Sequence, residues 1–314
     1  MRKWRSVIGV VLGVLLLGGL GGWFYFHQTR NPDFADLAYA AASPSQRLDL
    51  YLPKGPGAFP VIIFIHGGAF KFGDKAGLGP GFRHGLETSN AAGFAFASIN
   101  YRMSGEARFP AAVQDAKAAL RYLRAHAARY RLDPAKIALW GQSAGGNIAL
   151  LAGMSSGAAL FDDPASPLRQ VPDRVSAIVS MYGPTDFLQM DAQLKALGCP
   201  ASARNHSKAG SPESLWLGKQ ITLIPGIAAS SDPLTYAGNA TPPMLLQHGT
   251  ADCIVPMLQS RILADRVNAL APGRAVLQFR EGAAHADSAF DSPANLAVVT
   301  AFLRQAYAAQ GHAN

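Results

Sequence analysis

A serine flanked by glycines stands where one apolar run ends and another begins. Residues 141–145 read Gly-Gln-Ser-Ala-Gly, within 137-IALWGQSAGGNIALL-151. The pattern G-x-S-x-G between a strand and a helix is typical of a nucleophilic serine on a sharp turn, where neighbouring residues must be small. Such a serine would attack a carbonyl carbon. The N–H groups that begin the following helix, that of Ala144 first, would stabilise the oxygen that becomes negative.

A serine hydroxyl is a weak nucleophile and needs a base that is oriented by a third group. Of the eight histidines, His285 lies in a loop of small residues after the last predicted strand, where it could reach Ser143. Asp252 follows the preceding strand and is the preferred acid. Three other acids remain open as alternatives: Asp186, the strongest rival, and Asp287 and Asp291 beyond the histidine.

A second donor loop follows the strand predicted at 61–65 and reads HGGAF over 66–70. Glycines there let the backbone approach a tetrahedral intermediate closely. We therefore assign the oxyanion hole to the backbone N–H of Ala144 and to the segment Gly67, Gly68 and Ala69, within which Gly68 and Ala69 are the preferred donors. Phe70 and Phe72 are candidates for lining a substrate pocket, with core packing as the alternative.

The elements that must position these residues alternate along the chain. Runs of β-branched and aromatic residues predict strands at 46–53, 61–65, 94–99, 137–140, 175–182, 244–248 and 275–279. Apolar residues at helical spacing predict helices at 111–130, 144–154, about 260–269 and about 295–308. This alternation indicates an α/β fold, with a mostly parallel sheet flanked by helices. Every candidate catalytic group then falls at the carboxyl end of a strand.

The predicted domain organisation has one catalytic domain over 45–308, ending in a short tail at 309–314. Residues 183–243 break the alternation and are rich in Pro, Ser and Gly. Because a structureless loop of this length would be unusual, we predict a partly helical cap insertion. The alternative is an ordinary excursion that packs its side chains elsewhere.

The first 30 residues read as a targeting segment, followed by a linker at 31–44. The chain has 314 residues and a formal charge of +8, and four of these positive charges lie in residues 1–30, which contain no acid. The run 7–26 has no charge and is long enough to cross a bilayer as a helix. We predict a membrane anchor that leaves the body of the protein on the extracytoplasmic, periplasmic side. A cleaved signal peptide and a secreted protein are the alternative.

The remaining sequence excludes several functional classes. Acids and bases are interspersed after residue 30, with no basic run, so nucleic-acid binding is not expected. No metal-ligand spacing, phosphate loop or nicotinamide-binding fingerprint occurs, so we expect neither metal nor cofactor. The two cysteines, Cys199 and Cys253, are candidates for a disulfide in an exported protein, or for two separate thiols. The sequence predicts no oligomeric state.

Several motifs together resemble those of α/β-hydrolase esterases, in the group of carboxylesterases, feruloyl esterases and hormone-sensitive-lipase-like enzymes. They are HGGAF, 73-GDK-75, 100-NYR-102, 109-FPAAVQDAKAALRYL-123, 133-DPAKIALWGQSAGGNIAL-150, 182-YGPTDF-187 and 248-HGTADCIVP-256. The order Ser143, Asp252, His285 also matches that fold. The chain departs from the resemblance in reading HGGA where HGGG is usual. Ala69 keeps its N–H, but its methyl group is expected to narrow the space for bulky alcohols.

The resemblance implies a serine hydrolase that cleaves small carboxylic esters through an acyl-enzyme, without a cofactor. Ser143 would be the nucleophile, His285 the base and Asp252 the acid that orients it. A peptidase of the same fold and a non-catalytic binding protein that retains the fold are the two alternatives.

Overall fold

A computed structural model describes residues 31–77 and 80–310 of the chain. The described residues from Asp33 onward form one compact unit built on an eight-stranded sheet. The strands are β1 (Phe34–Ala38), β2 (Arg47–Tyr51), β3 (Phe59–Ile65), β4 (Ala95–Ile99), β5 (Leu132–Gln142), β6 (Ala177–Met181), β7 (Met244–Gly249) and β8 (Ala275–Arg280). Their order is β1-β2-β4-β3-β5-β6-β7-β8. The pairs β1–β2 and β2–β4 are antiparallel, and the other neighbours are parallel.

The helices described are α1 (Pro80–Ala91), α2 (Ala111–Ala125), α3 (Ala144–Met154), α4 (Met190–Ala196), α5 (Pro212–Leu217), α6 (Pro225–Ser230), α7 (Leu258–Leu270) and α8 (Pro293–Gln310). Apolar side chains cover both faces of the central strands. On β3, Ile63 and Ile65 belong to one core, and Ile62 and Phe64 to the core on the opposite face. Alternating side chains on a strand point to opposite faces, so a continuous apolar run is what a doubly covered strand needs. The predicted α/β fold with a mostly parallel sheet is confirmed.

The prediction of a linker over 31–44 is wrong for residues 34–38, which form β1. This strand pairs with β2 and extends the antiparallel edge of the sheet. Its side chains alternate only weakly in burial, which explains why no strand pattern stood out. Contacts distant in sequence define it: the ring of Phe34 lies 4.9 Å from that of Tyr130, and Lys75 Nζ lies 2.9 Å from Asp36 Oδ1.

Residues 183–243, here called the insertion, contain three short helices, α4 to α6, and several single 3₁₀ turns. The partly helical character therefore agrees with the prediction. Large side chains of the insertion are buried in the main core: Phe187, Met190, Trp216 and Ile221. Asn147 at the start of α3 donates to the carbonyl oxygens of Pro184 and Ser231, near the two ends of the insertion. The insertion is thus packed onto the domain through its own side chains and through α3.

The predicted membrane anchor lies in residues 1–30, outside the described residues. Within 31–77 and 80–310, no helix has both the length and the apolar character that crossing a membrane requires. The last helix, α8, reaches Gln310, two residues beyond the predicted end of the catalytic domain at 308.

Candidate active site

Ser143 lies on a sharp turn between β5 and α3. Its backbone φ of 53° is in the left-handed region, which is uncommon for a residue other than glycine. The flanking glycines make this turn possible because there is no space for larger residues. A Cβ on Gly141 would lie 2.0 Å from the oxygen of Gly145, and a Cβ on Gly145 would lie 2.1 Å from the oxygen of Ile65. The G-x-S-x-G pattern therefore positions the serine through close backbone contacts.

Three sequence-predicted residues form one chain of hydrogen bonds. Ser143 Oγ lies 2.9 Å from His285 Nε2, and His285 Nδ1 lies 2.7 Å from Asp252 Oδ2. Because a carboxylate only accepts, Nδ1 carries the proton and Nε2 is left to accept the proton of the serine hydroxyl. The serine follows β5, the aspartate follows β7 and the histidine follows β8, so the parallel sheet brings them to one edge.

The carboxylate of Asp252 is held ionised by several donors. Only 2% of the residue is exposed. Its Oδ1 accepts from the backbone N–H groups of Ile254 and Val255, at 2.8 and 2.9 Å. Burial alone raises the pKa of Asp252, but hydrogen bonds from His248 and His285 outweigh burial and hold the pKa well below its usual value.

His248 is a second histidine beside this carboxylate, and the sequence analysis did not select it as a functional residue. It is fully buried, and its Nε2 lies 2.9 Å from the carbonyl oxygen of Val255 and 3.3 Å from Asp252 Oδ2. Both neighbours accept, so Nε2 carries the proton and Nδ1 accepts from the hydroxyl of Ser260 at 2.7 Å. The close spacing of His248 and Asp252 in HGTAD was the sequence feature that could have indicated this contact.

Tyr182 also contacts the site and was missed as a functional residue. It follows β6 directly, and its ring stands edge-on to the imidazole of His285, with centroids 4.8 Å apart. On its other side it packs on Phe290 at 4.7 Å. The tyrosine therefore limits the orientations open to the histidine ring.

The loop with the predicted oxyanion-hole residues lies against the serine turn. A Cβ on Gly67 would be 3.2 Å from Ser143 Cβ, and Ala69 has a left-handed φ of 53°. Ala144 is the first residue of α3, so its N–H has no acceptor within the helix.

His66 helps to fix the oxyanion loop from within. Its Nδ1 donates to the oxygen of Gly67 at 2.7 Å, while the hydroxyl of Tyr101 donates to the oxygen of His66 at 3.0 Å. Burial lowers the pKa of His66, which keeps the ring neutral near pH 7. The structure thus places His66 in support of the loop and not as a base.

The two phenylalanines of this loop have different environments. Phe70 is 2% exposed and stacks on Trp216, with centroids 4.0 Å apart. The side chain of Phe70 is therefore part of the core, which is the alternative that the sequence analysis left open. Phe72 is 65% exposed and lines a cavity of about 730 Å³, together with Gly67, Gly68 and Gln142.

The rival acids have other positions. Asp186 and Asp287 accept backbone N–H groups at the starts of 3₁₀ turns, so they act as caps. Asp291 lines the same cavity as Phe72, with Oδ1 3.5 Å from Gln142 Nε2.

The two cysteines are bonded to each other, with 5.6 Å between their Cα atoms. The bridge links the insertion at Cys199 to Cys253, the neighbour of Asp252. Among residues 31–77 and 80–310, no group of three His, Cys, Asp or Glu side chains is arranged as metal ligands would be.

The mostly parallel sheet and the serine turn between β5 and α3 define an α/β-hydrolase fold. A family model described as BD-FAE matches residues 48–267, and the chain belongs to this family. Among solved structures, a truncated carbohydrate esterase from gut microbiota has a TM-score of 0.76 at 28% identity, covering 88% of this chain and 99% of that one. Esterase 2 of Thermogutta terrifontis, phosphonylated by sarin, has a TM-score of 0.67 at 25% identity, covering 89% and 95%.

Curated relatives are also named as esterases. Esterase LipC of Mycobacterium tuberculosis (strain ATCC 25618 / H37Rv) is 29% identical over 249 residues, which cover 77% of this chain and 57% of LipC. The probable carboxylic ester hydrolase LipM of the same strain is 29% identical over 236 residues, covering 74% of this chain and 51% of LipM. The chain thus spans about half the length of these two relatives.

Proposed function

We propose that this protein hydrolyses carboxylic esters through a covalent acyl-enzyme on Ser143. The observation that carries the proposal is the continuous hydrogen-bonded chain from Ser143 through His285 to Asp252, with the serine on a strained turn. This is the arrangement of nucleophile, base and orienting acid that acyl transfer requires. The names of the solved and curated relatives support an ester as the substrate.

In this mechanism His285 accepts the hydroxyl proton as Ser143 Oγ attacks the ester carbonyl. The new negative oxygen is stabilised by N–H groups of the loop 67–69 and of Ala144, at the start of α3. The protonated His285 then gives its proton to the leaving alcohol as the carbon–oxygen bond breaks. Water attacks the acyl-enzyme with the same base, which releases the acid and restores the serine.

Asp252 holds the imidazole in the tautomer that this cycle requires. Its low pKa keeps it ionised throughout the neutral pH range, so it stabilises the imidazolium formed during each step. The edge-on contact from Tyr182 supports the same orientation of the ring.

The decisive experiment replaces the nucleophile. Ser143→Ala should lower kcat for p-nitrophenyl acetate by at least about 10⁴-fold. It should also abolish labelling by a fluorophosphonate, since no serine hydroxyl would remain beside His285. Ser155→Ala is the matched control. The hydroxyl of Ser155 is buried and donates to the carbonyl oxygen of Leu151, so removing it should leave the labelling of Ser143 unchanged. Labelling that persists in Ser143→Ala would refute the assignment, and cleavage of peptide amides at the rate of esters would favour a peptidase.

We also propose that the body of the protein is exported and is held at the membrane by residues 7–26. The uncharged run behind a basic start supports this location. The bonded pair Cys199–Cys253 supports it too, because disulfides persist in oxidising compartments. A full-length chain expressed in a Gram-negative bacterium should fractionate with membranes and be digested by protease only after the outer membrane is opened. A soluble periplasmic product lacking residues 1–30 would favour a cleaved signal peptide instead.

A further inference from the structure

The insertion is joined twice to the loop that carries Asp252, which we call the acid loop (residues 250–257). The disulfide links Cys199 to Cys253, and His206 Nε2 lies 3.0 Å from the carbonyl oxygen of Ile254. Both attachment points lie within two residues of Asp252. The segment of the insertion between the disulfide and the helix α5 is therefore fixed beside the active site.

A buried charge keeps His206 in position. Its Nδ1 lies 2.9 Å from Glu213 Oε1, and the residue is 6% exposed. Because both ring nitrogens face acceptors, both carry a proton and the ring is an imidazolium. The backbone around it is held as well, since Asp191 accepts the N–H groups of His206 and Ser207 at 3.0 and 2.9 Å.

A cavity of about 530 Å³ lies between this segment and the acid loop. Its wall on the insertion side includes Ser202, Ala203 and Asn205, and its opposite wall includes Ala251, Ile254 and His285. The catalytic base of the proposed mechanism thus forms part of this cavity. It does not line the larger cavity beside Phe72, which the oxyanion loop and Gln142 border instead.

The chemistry of the leaving group distinguishes the two cavities. The alcohol oxygen must receive its proton from His285 Nε2, so the alcohol part of the ester has to lie on the side of the imidazole. We propose that the 530 Å³ cavity binds the alcohol part of the ester, and that segment 199–213 selects which alcohols fit. The inference rests on the proposed function and adds to it the position and the selectivity of the leaving group.

The cavity is suited to a ring-sized alcohol with at least one polar group. Its volume falls in the range of sites that hold a small organic molecule. Ile254 offers an apolar side chain, while Ser202 and Asn205 offer hydrogen-bonding groups. Methanol or ethanol would leave most of this surface without contact.

The test compares two pairs of simple alkyl esters. The esters of the first pair share the acyl group and differ in the alcohol, and those of the second pair share the alcohol and differ in the acyl group. Ala203→Phe should lower the ratio of kcat/KM for cyclohexylmethyl acetate to that for methyl acetate by at least about tenfold, because the new ring fills the cavity. The ratio for methyl octanoate to methyl acetate should change by less than about twofold. Ala229→Phe places the same ring on the exposed surface of α6 and should change neither ratio.

We call the first ratio, cyclohexylmethyl acetate to methyl acetate, the alcohol ratio, and the second, methyl octanoate to methyl acetate, the acyl-length ratio. If Ala203→Phe changed the acyl-length ratio but not the alcohol ratio, or changed neither ratio, the inference would be overturned. Ser288→Phe, in the larger cavity, should lower the acyl-length ratio and serves as the reciprocal variant. Measurements on the wild-type protein separate the proposal of ester hydrolysis from the proposal of an alcohol-binding cavity. If it hydrolyses neither series and resists the fluorophosphonate, the proposed function itself fails.

A second variant tests the attachment of the segment. Cys199→Ser with Cys253→Ser should lower the alcohol ratio by about fivefold, since the wall then loses its covalent link to the acid loop. The acyl-length ratio should stay unchanged. Reductant should reproduce this loss in the wild type and have no further effect on the double variant. An alcohol ratio that is insensitive to both treatments would show that the fixed segment does not select the alcohol.

Discussion

At the residue scale, the carboxylate of Asp252 receives two backbone N–H groups and lies beside two histidines, although only one histidine touches the serine. His285 faces Ser143, whereas His248 is buried behind the carboxylate. We therefore regard His248 as a positioning residue that fixes the carboxylate and lowers its basicity.

Replacing His248 by leucine should raise the pKa of Asp252, because one donor to the carboxylate is lost. A hydrogen bond to a charged group contributes about 2 kcal/mol, so kcat/KM should fall by about tenfold or more. Because a raised pKa means that the carboxylate of Asp252 takes up a proton at higher pH, the acid limb of the kcat/KM profile should move to higher pH. His248→Gln keeps an N–H donor and should recover part of both effects. Loss of thermal stability with an unmoved acid limb would indicate a purely structural role.

Position 145 requires glycine because the backbone at the end of β3 leaves no space for a side chain. A Cβ there would lie 2.1 Å from the oxygen of Ile65 and 2.4 Å from that of His66. Gly145→Ala should therefore lower the free energy of unfolding by about 3 kcal/mol. Gly226→Ala is the matched control, since a Cβ there meets nothing within 4 Å. This change should stabilise α6 by up to about 1 kcal/mol, and urea unfolding measures both.

At the scale of elements, the insertion depends on a buried ion pair for part of its stability. Burial alone lowers the pKa of His206, but the hydrogen bond and the charge of Glu213, with the charge of Asp191, outweigh burial and raise the pKa above its usual value of about 6.5. A raised folded-state pKa gives stability that is fully present below the unfolded pKa and is lost as the pH rises through the folded value.

The free energy of unfolding should accordingly decline above about pH 6.5 in the wild type, in part through His206. His206→Gln removes this contribution, so the stability difference between wild type and variant should be largest at pH 6 and should shrink toward pH 9. Urea unfolding at several pH values measures the difference. A difference that stays constant with pH would contradict a charged His206.

At the scale of the whole molecule, Lys75 connects the segment after the oxyanion loop to the antiparallel edge of the sheet. Its Nζ lies 2.9 Å from Asp36 Oδ1 on β1 and 2.9 Å from Asp49 Oδ2 on β2. Asp49 is 5% exposed, and Lys75 is the counter-charge of this buried carboxylate.

Lys75→Met should destabilise the protein by about 3 kcal/mol, because a buried carboxylate would lose its counter-charge. Lys54→Met, at an exposed position, is the control and should change stability by less than about 0.5 kcal/mol. Thermal and urea unfolding would measure both. If Lys75→Met left the stability of the protein unchanged, the carboxylate of Asp49 would have to be satisfied by other groups.

The sequence by itself determined the fold class and indicated Ser143, His285 and, as the preferred acid among several, Asp252. Both follow from local rules: the apolar runs form strands, the glycines allow the turn at Ser143, and parallel strands place their carboxyl ends together. The positions of Ser143, Asp252 and His285 after three different strands were therefore predictable without coordinates.

Only the tertiary structure decided what depends on contacts between distant residues. It placed β1 at the edge, Phe70 in the core and His248 behind Asp252, and it showed which cavity His285 lines. None of these follows from periodicity, because each is fixed by a partner far away in the chain, such as Tyr130 for β1 or Trp216 for Phe70. Local patterns specify which elements form, whereas side-chain packing between elements decides which groups share a site.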